Sequence, residues 1–239
     1  MKKSNLIFGI LLLVGFFSFT SVVSQVKPNK QKSSSETFEK VMLKSIETPV
    51  ETPNDAIEEL RRGNSRFLSN SPVNTHYKEQ IEATKGDQHP HSIILSCINS
   101  RIPPEIIFDQ GIGKVFVARV AGNIQNPDIL GSLEFATKVK GSKLIVVMGH
   151  NKCGAIKGAL DNVQLGNLTQ LVNQIKPAIP TESEDVETKS MKTAKENVRI
   201  TIASILKNSE VIRELVTSGK VRIIGAFYDV TTGKVTFNE

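Results

Sequence analysis

Short unbroken apolar runs alternate along this chain with longer segments in which apolar positions recur every three or four residues. Ser92-Ile93-Ile94-Leu95-Ser96 and Lys143-Leu144-Ile145-Val146-Val147-Met148-Gly149 show no polar alternation, so both read as strands buried on two faces. Between them, Pro103-Pro104-Glu105-Ile106-Ile107-Phe108 predicts a short helical turn opened by proline, and Val115-Phe116-Val117-Ala118-Arg119-Val120 a further strand. Asp128 is placed to cap a helix whose Ile129, Leu133 and Ala136 share one face, and a helix begins at Gly154-Ala155-Ile156. Upstream, Asn54 is placed to cap a helix carrying Ala56, Ile57 and Leu60. Helices are also predicted over residues 167–179, 186–206 and 210–216, and strands over 222–228 and 234–237, joined through Thr231-Thr232-Gly233 as a closing hairpin. The alternation of strand and helix predicts an α/β fold: a mostly parallel central sheet flanked by helices, with an antiparallel C-terminal edge hairpin.

The N-terminal pattern is of another kind. Lys2 and Lys3 precede an apolar stretch over residues 6–19, and the small residues Val22 and Ser24 suit a signal peptidase, which predicts a leader over residues 1–24 cut before Gln25. Residues 25–51 are rich in Lys, Ser, Glu and Thr and too poor in apolar residues for a core, so they read as a disordered tether ahead of one domain over residues 52–239. A periplasmic or secreted protein follows, without stable membrane association once the leader is removed; an uncleaved anchor is the alternative, and the apolar stretch is near the lower length limit for it. With 39% hydrophobic and 23% charged residues the composition is that of an ordinary soluble domain. The net charge of +6 includes Lys2 and Lys3, and subtracting them leaves about +4 for the processed chain. No basic stripe, no Gly-rich phosphate loop and no Trp points to nucleic acid.

The chemistry is concentrated in two short segments. Cys97 and Cys153 are the 2 cysteines of the chain, and His150 stands three residues before the second. Cys97 and His150 each fall at the carboxyl end of a predicted strand, where open parallel sheets gather their ligands. Two thiolates and one imidazole are the three protein ligands of a catalytic zinc site, whereas a structural site closes with a fourth. In an exported chain the two cysteines have the alternative of a disulfide. His76, His89 and His91 read as loop or strand-entry residues facing solvent, and Lys152 as a solvated charge.

The run Cys97-x-Asn99-Ser100-Arg101-Ile102-Pro103-Pro104-Glu105, then Phe108-Asp109-Gln110-Gly111, Val117-x-Arg119-Val120-Ala121-Gly122-Asn123 and Gly149-His150-x-Lys152-Cys153-Gly154-Ala155, resembles the β-class carbonic anhydrases from about Thr52 onward. The resemblance implies Zn2+ on Cys97, His150 and Cys153, interconversion of CO2 and bicarbonate, and a homodimer or tetramer in which the N-terminal helical arm lies across a neighbouring subunit. It assigns residues 99 and 101 to tuning the metal site, and it gives Gln88 and the backbone N–H of Gly154 the orienting of substrate oxygens. One departure matters: the family has Cys-x-Asp-Ser-Arg, and here the aspartate position is Asn99. The family's aspartate pairs with the motif arginine, accepts a hydrogen bond from the nucleophile and in some members ligates zinc. Asn99 keeps one oxygen for the nucleophile but is expected to turn its NH2 toward Arg101, which carries only donors, so the charge-assisted pair is lost. Slowed CO2 hydration is therefore expected, and the alternative is a non-catalytic zinc-containing relative that binds bicarbonate or a partner.

Overall fold

The computed structural model describes residues 50–238, so the expected leader and all but the end of the expected tether lie outside the described residues. Helix α1 (Pro53–Leu68) starts from a reciprocal cap: the Thr52 hydroxyl accepts from the Asp55 N–H at 3.2 Å while the Asp55 carboxylate accepts from the Thr52 N–H at 2.9 Å. Thr52 and not Asn54 is the cap, because Pro53 already occupies the first helical position. Next come α2 (Tyr77–Thr84), β1 (Ser92–Ser96), α3 (Pro104–Ile107), β2 (Val115–Arg119), a 3-10 turn (Ala121–Asn123) and α4 (Pro127–Glu134). Asn126, not Asp128, caps α4 by accepting from the Ile129 N–H at 2.9 Å, since Pro127 draws the helix start upstream. A π turn (Phe135–Val139) extends α4 before β3 (Leu144–His150), α5 (Gly154–Leu160) and α6 (Gly166–Ile175). Pro177 ends the α-helical hydrogen bonding expected to reach residue 179, and a 3-10 turn (Lys176–Ala178) finishes the segment. The long α7 (Val186–Asn208), α8 (Glu210–Thr217), β4 (Arg222–Tyr228) and β5 (Val235–Asn238) complete the chain.

The five strands form one sheet in the order β2-β1-β3-β4-β5, parallel except for β5, which pairs antiparallel with β4. Side chains alternate across it as strand geometry requires. Ile94, Leu144, Val146 and Met148 pack on one face with Ala56, Ile57 and Leu60 of α1 and with Ile156 and Val172. Ile93, Leu95, Ile145 and Val147 pack on the other with Leu133 of α4, Val198 and Ile205 of α7, and Ile212 of α8. The unbroken apolar runs in β1 and β3 are thus the signature of a sheet covered twice. Helix α2 was missed by the sequence pattern because it buries none of its residues.

Polar side chains fasten α1 to the sheet. Asn64 donates from Nδ2 to the carbonyls of Ile107 and Gly233, at 3.1 and 3.0 Å, and accepts from the Val235 N–H at 2.9 Å. Arg66 donates to the Asp109 carboxylate at 2.5 Å, and that carboxylate also accepts from the N–H groups of Val73 and Asn74. His91 departs from the solvent-facing reading: it is only 8% exposed, with Nδ1 at 2.7 Å from the Ser92 hydroxyl and Nε2 at 3.0 Å from Gln110 Oε1. Burial pulls its pKa down, so it sits neutral in the fold.

Gly63 and Gly131 make a matched test of how closely α1 is seated. A Cβ on Gly63 would lie 1.7 Å from the Phe108 carbonyl oxygen, whereas one on Gly131 meets nothing within 4 Å. Helix propensity favours alanine at both by up to about 1 kcal/mol, but a clash with backbone outweighs it, as overpacking costs about 1–3 kcal/mol even against movable side chains. Gly63→Ala is expected to lower the unfolding free energy by about 3 kcal/mol or more and Gly131→Ala to raise it slightly. Chemical denaturation of the two variants measures this, and a neutral Gly63→Ala refutes the close approach.

Candidate metal centre

Cys97 immediately follows the last residue of β1, His150 is the last residue of β3, and Cys153 is the N-cap of α5. Strands β1 and β3 are parallel neighbours from which the chain departs in opposite directions, to β2 on one side and β4 on the other, so the group sits at the topological switch point of the sheet. All three side chains are buried, at 4%, 1% and 3% exposure. Their ligand atoms lie within 4.8 Å of one another, and the Cys97 and Cys153 sulfurs are 4.0 Å apart. Both cysteines are free, at twice the length of a disulfide bond of about 2.05 Å.

Local structure fixes each donor. Lys152 takes a left-handed backbone conformation, φ 52°, which turns the chain tightly between His150 and Cys153. Asn151 anchors that turn to the end of β4: its Nδ2 donates to Asp229 at 2.8 Å and its Oδ1 accepts from the Val230 N–H at 2.8 Å. The Asn151 carbonyl lies 2.7 Å from His150 Nδ1 and can only accept, so Nδ1 carries the proton and Nε2 keeps its lone pair. That Nε2 is buried and, among the described residues, has no hydrogen-bond partner. On the other side, the Gly122 N–H donates to the Cys97 sulfur at 3.4 Å. Gly122 has φ 70°, and a Cβ there would come within 2.6 Å of Ile175 Cδ1, so only glycine brings its N–H so close. The buried Asn197 amide holds the Gly122 carbonyl at 2.8 Å.

The two sulfurs, 4.0 Å apart, are joined by a hydrogen bond. A hydrogen bond from Cys153 holds the Cys97 thiol well below its ordinary pKa against the opposing effect of burial, with the N–H groups of Gly122 and Asn99 adding to the fall. The same contact and burial push Cys153 up. Two thiols, each able to lose its proton to a cation, and an orphaned imidazole nitrogen form a soft, nitrogen-and-sulfur donor set suited to zinc. A buried nitrogen left without a partner costs about 1–3 kcal/mol, a cost that metal coordination removes. The residues present therefore fit the metal. Among the described residues no fourth Cys, His, Asp or Glu joins the group.

Asn99 lies beside this group, but its amide is turned opposite to the sequence expectation. Its Oδ1 accepts from both the backbone N–H and the Nε of Arg101, at 3.0 and 3.2 Å. Since arginine has only donors, the oxygen must face it, and the NH2 is the end left for other groups. The second terminal nitrogen of Arg101 donates to the Lys152 carbonyl at 3.2 Å, tying the two ligand-bearing loops together. Arg119, at the end of β2, was given no role by its motif; it donates from Nε to the Cys97 carbonyl at 3.0 Å and from Nη2 to the Asn99 carbonyl at 2.6 Å. Gly154 opens α5 beside Cys153, exposed and with nothing within 4 Å of where a Cβ would stand, so its N–H is one that the helix leaves without an internal partner. Gln88 is not brought to the group: it lies ahead of β1, at the other end of the strand from Cys97, with its N–H on the Asp87 carboxylate at 2.7 Å.

Comparison with known proteins places this geometry in a lineage. The family model described as carbonic anhydrase matches residues 92–235. The carbonic anhydrase 2 of Mycobacterium tuberculosis is 32% identical over 199 residues, covering 80% of this chain and 95% of that protein. The carbonic anhydrase of Mycolicibacterium smegmatis is 32% identical over 195 residues, covering 78% and 94%. Among solved structures, a β-carbonic anhydrase of Aspergillus fumigatus superposes with a TM-score of 0.63 at 26% identity, over 68% of this chain and 81% of that one. A β-carbonic anhydrase of Sordaria macrospora, described as tetrameric, gives 0.61 at 26% identity over 77% and 96%. The chain belongs to the carbonic anhydrase family, in its β class.

Proposed function

We propose that this chain catalyses the zinc-dependent reversible hydration of CO2 to bicarbonate, with the metal held by Cys97, His150 and Cys153. The observation that carries the reading is the buried, partnerless His150 Nε2 within 4.8 Å of two thiols. Zinc held there supplies the Lewis acidity that makes a water molecule acidic enough near neutral pH to attack the carbon of CO2. The chain's own groups tune and orient. Nδ1–H of His150 is fixed on the Asn151 carbonyl, which aims Nε2 inward, and the N–H groups of Gly122 and Asn99 draw charge from the Cys97 sulfur. The N–H of Gly154 is offered to a substrate oxygen; Gln88 has that role only if a second copy brings it to the site.

Asn99 limits the rate in this proposal. Its single acceptor oxygen is committed to Arg101, so it cannot take a hydrogen bond from the attacking water without releasing the arginine. A carboxylate has an oxygen for each task. The same observation supports a second reading, a zinc-containing binding protein of this family that no longer turns over CO2.

The proposal extends to assembly and location. Among the described residues strand β2 is an open edge whose Val115, Phe116, Val117 and Ala118 are only half-buried, and Ile98 and Ile106 are each 61% exposed. An apolar edge of this kind calls for cover, and a second copy of the chain supplies it as a homodimer or a tetramer built from dimers. Lys2, Lys3 and the apolar residues 6–19 support export to the periplasm or beyond, with residues 25–51 as a tether.

Three outcomes are expected. Purified protein should carry about one zinc per chain, and Cys97→Ser should lose metal and CO2 hydration together; full zinc and full rate in that variant defeat the ligand assignment. Asn99→Asp should raise kcat/KM by about 10- to 100-fold in stopped-flow hydration, the usual cost of one such supporting hydrogen bond. An unchanged rate means Asn99 is not limiting, whereas activity appearing only in the variant favours the binding-protein reading. Mass spectrometry of the exported fraction should find a chain beginning at or near Gln25, and a membrane-bound chain still carrying Lys2 refutes the cleaved leader.

A further inference from the structure

A cleft lies on the opposite face of the sheet from the cysteine–histidine group. Cys97 and Cys153 pack in the layer of Ile94 and Met148, whereas this cleft is floored by Val198 of α7, from the layer of Leu95 and Val147, and by Gly225 of β4. Its volume is about 850 Å³, within the range that small organic ligands occupy. One wall is α7, where Lys192, Lys195, Arg199 and Ile202 follow at the three- and four-residue spacing of a single helix face. The other is residues 177–181, in which Pro177 and Pro180 remove two backbone donors and fix the chain on either side of Ile179. Gly225 keeps the floor open, since a Cβ there would stand 3.0 Å from Val198 Cγ1, 3.6 Å from Ile202 Cδ1 and 3.7 Å from Asn238 Cβ. The charges around the cleft do not balance. Lys192 is paired with Glu184, and Arg199 donates from Nε to both oxygens of Glu196 at 2.9 Å. Between them Lys195 has no carboxylate partner among the described residues, and its ammonium lies 5.5 Å from the centre of the Phe227 ring. A cation over a ring keeps its charge, and its three hydrogens are left for another acceptor.

We infer that this cleft binds a monovalent amphipathic carboxylate, with its head on Lys195 and its hydrocarbon body against Ile179, Pro180 and Ile202. The one unmatched positive charge sets the single negative charge of the ligand. A divalent phosphate would need a second free cation, and Lys192 and Arg199 are both engaged with carboxylates. The body is hydrocarbon because the wall opposite the helix is built on two prolines and an isoleucine, which offer no N–H or hydroxyl at 177 and 180 to a polar ligand. Neither the metal nor the function proposed above enters this assignment.

Octanoate is the probe, titrated calorimetrically into the purified full chain at low ionic strength. It should bind about 10-fold or more tightly than butyrate, because each methylene taken fully out of water adds about fourfold and an open cleft covers only part of the chain. Lys195→Gln should weaken octanoate about fivefold, the worth of a unit charge about 4 Å away in water, and should leave neutral 1-octanol unchanged. Lys195→Arg should keep the octanoate affinity. Stripping zinc with a chelator should alter none of these values. Equal octanoate affinity in the unaltered chain and in Lys195→Gln overturns the cleft as the site, and so does a loss of binding with zinc, which places the carboxylate on the metal. Sedimentation velocity with and without octanoate tests the other occupant: if octanoate splits an oligomer, a second copy of the chain fills the cleft and the ligand site is overturned, whereas an unchanged association state supports it.

Discussion

The parallel register of β1 against β3 is the constraint from which the centre follows. Ser96 pairs with Met148, so Cys97, just beyond the last residue of β1, and His150, the last residue of β3, emerge at the same end of the sheet. His150 could not be shifted by one position without turning its side chain to the opposite face, because strand side chains alternate with a period of two, whereas Cys97 has left the strand and packs on the face of Ile94 and Met148. The register in turn is held by apolar residues buried on both faces, Ile93 and Leu95 toward one layer and Ile94 toward the other. Cys153 then needs only a tight turn to return to the same point, and the left-handed Lys152 provides it.

Around this core the polar contacts are few, buried and long in sequence separation. Asn64 joins α1 to the end of α3 and to the β4–β5 hairpin, and Asn151 joins the ligand turn to Asp229 and Val230 beyond β4. Both staples meet the same hairpin, so the C-terminal strands support the position of His150. Arg66 and Asp109 work in a similar way at the other edge. Their ion pair is largely buried, and desolvation offsets most of its attraction; its worth lies in the two backbone N–H groups, of Val73 and Asn74, that the Asp109 carboxylate also satisfies.

What could be read from the sequence divides along this line of separation. Strands β1 and β3, the strand-end positions of Cys97 and His150, the closing hairpin and the parallel sheet all follow from local pattern, and the structure has them. The caps at Thr52 and Asn126 were each displaced by two residues because a proline at the first helical position outweighs the side chain that merely suits a cap. His91 was misjudged because the group that makes its burial tolerable, Gln110, lies 19 residues away. Arg119 stood in a quoted motif without a role because its acceptors, the carbonyls of Cys97 and Asn99, lie 22 and 20 residues away, and no spacing rule reports on backbone oxygens across a sheet.

Asn99 shows how far shape and charge can be separated at one position. With Oδ1 toward Arg101 it accepts two hydrogen bonds, at 3.0 and 3.2 Å, so the turn that presents Cys97 is held as a carboxylate would hold it. Geometry alone would therefore pass the substitution as silent. What changes is the remaining end of the side chain, which becomes a donor instead of an acceptor, and the local charge, which rises by one where two guanidiniums already meet. Where an aspartate would offer an acceptor, the amide offers a donor on that side. The cysteine–histidine group is untouched by the exchange, since Cys97, His150 and Cys153 are positioned by the end of the sheet, the Lys152 turn and the Gly122 N–H, none of which depends on the charge at residue 99. The position of the cysteine–histidine group and the polarity beside it are therefore set by separate parts of the fold.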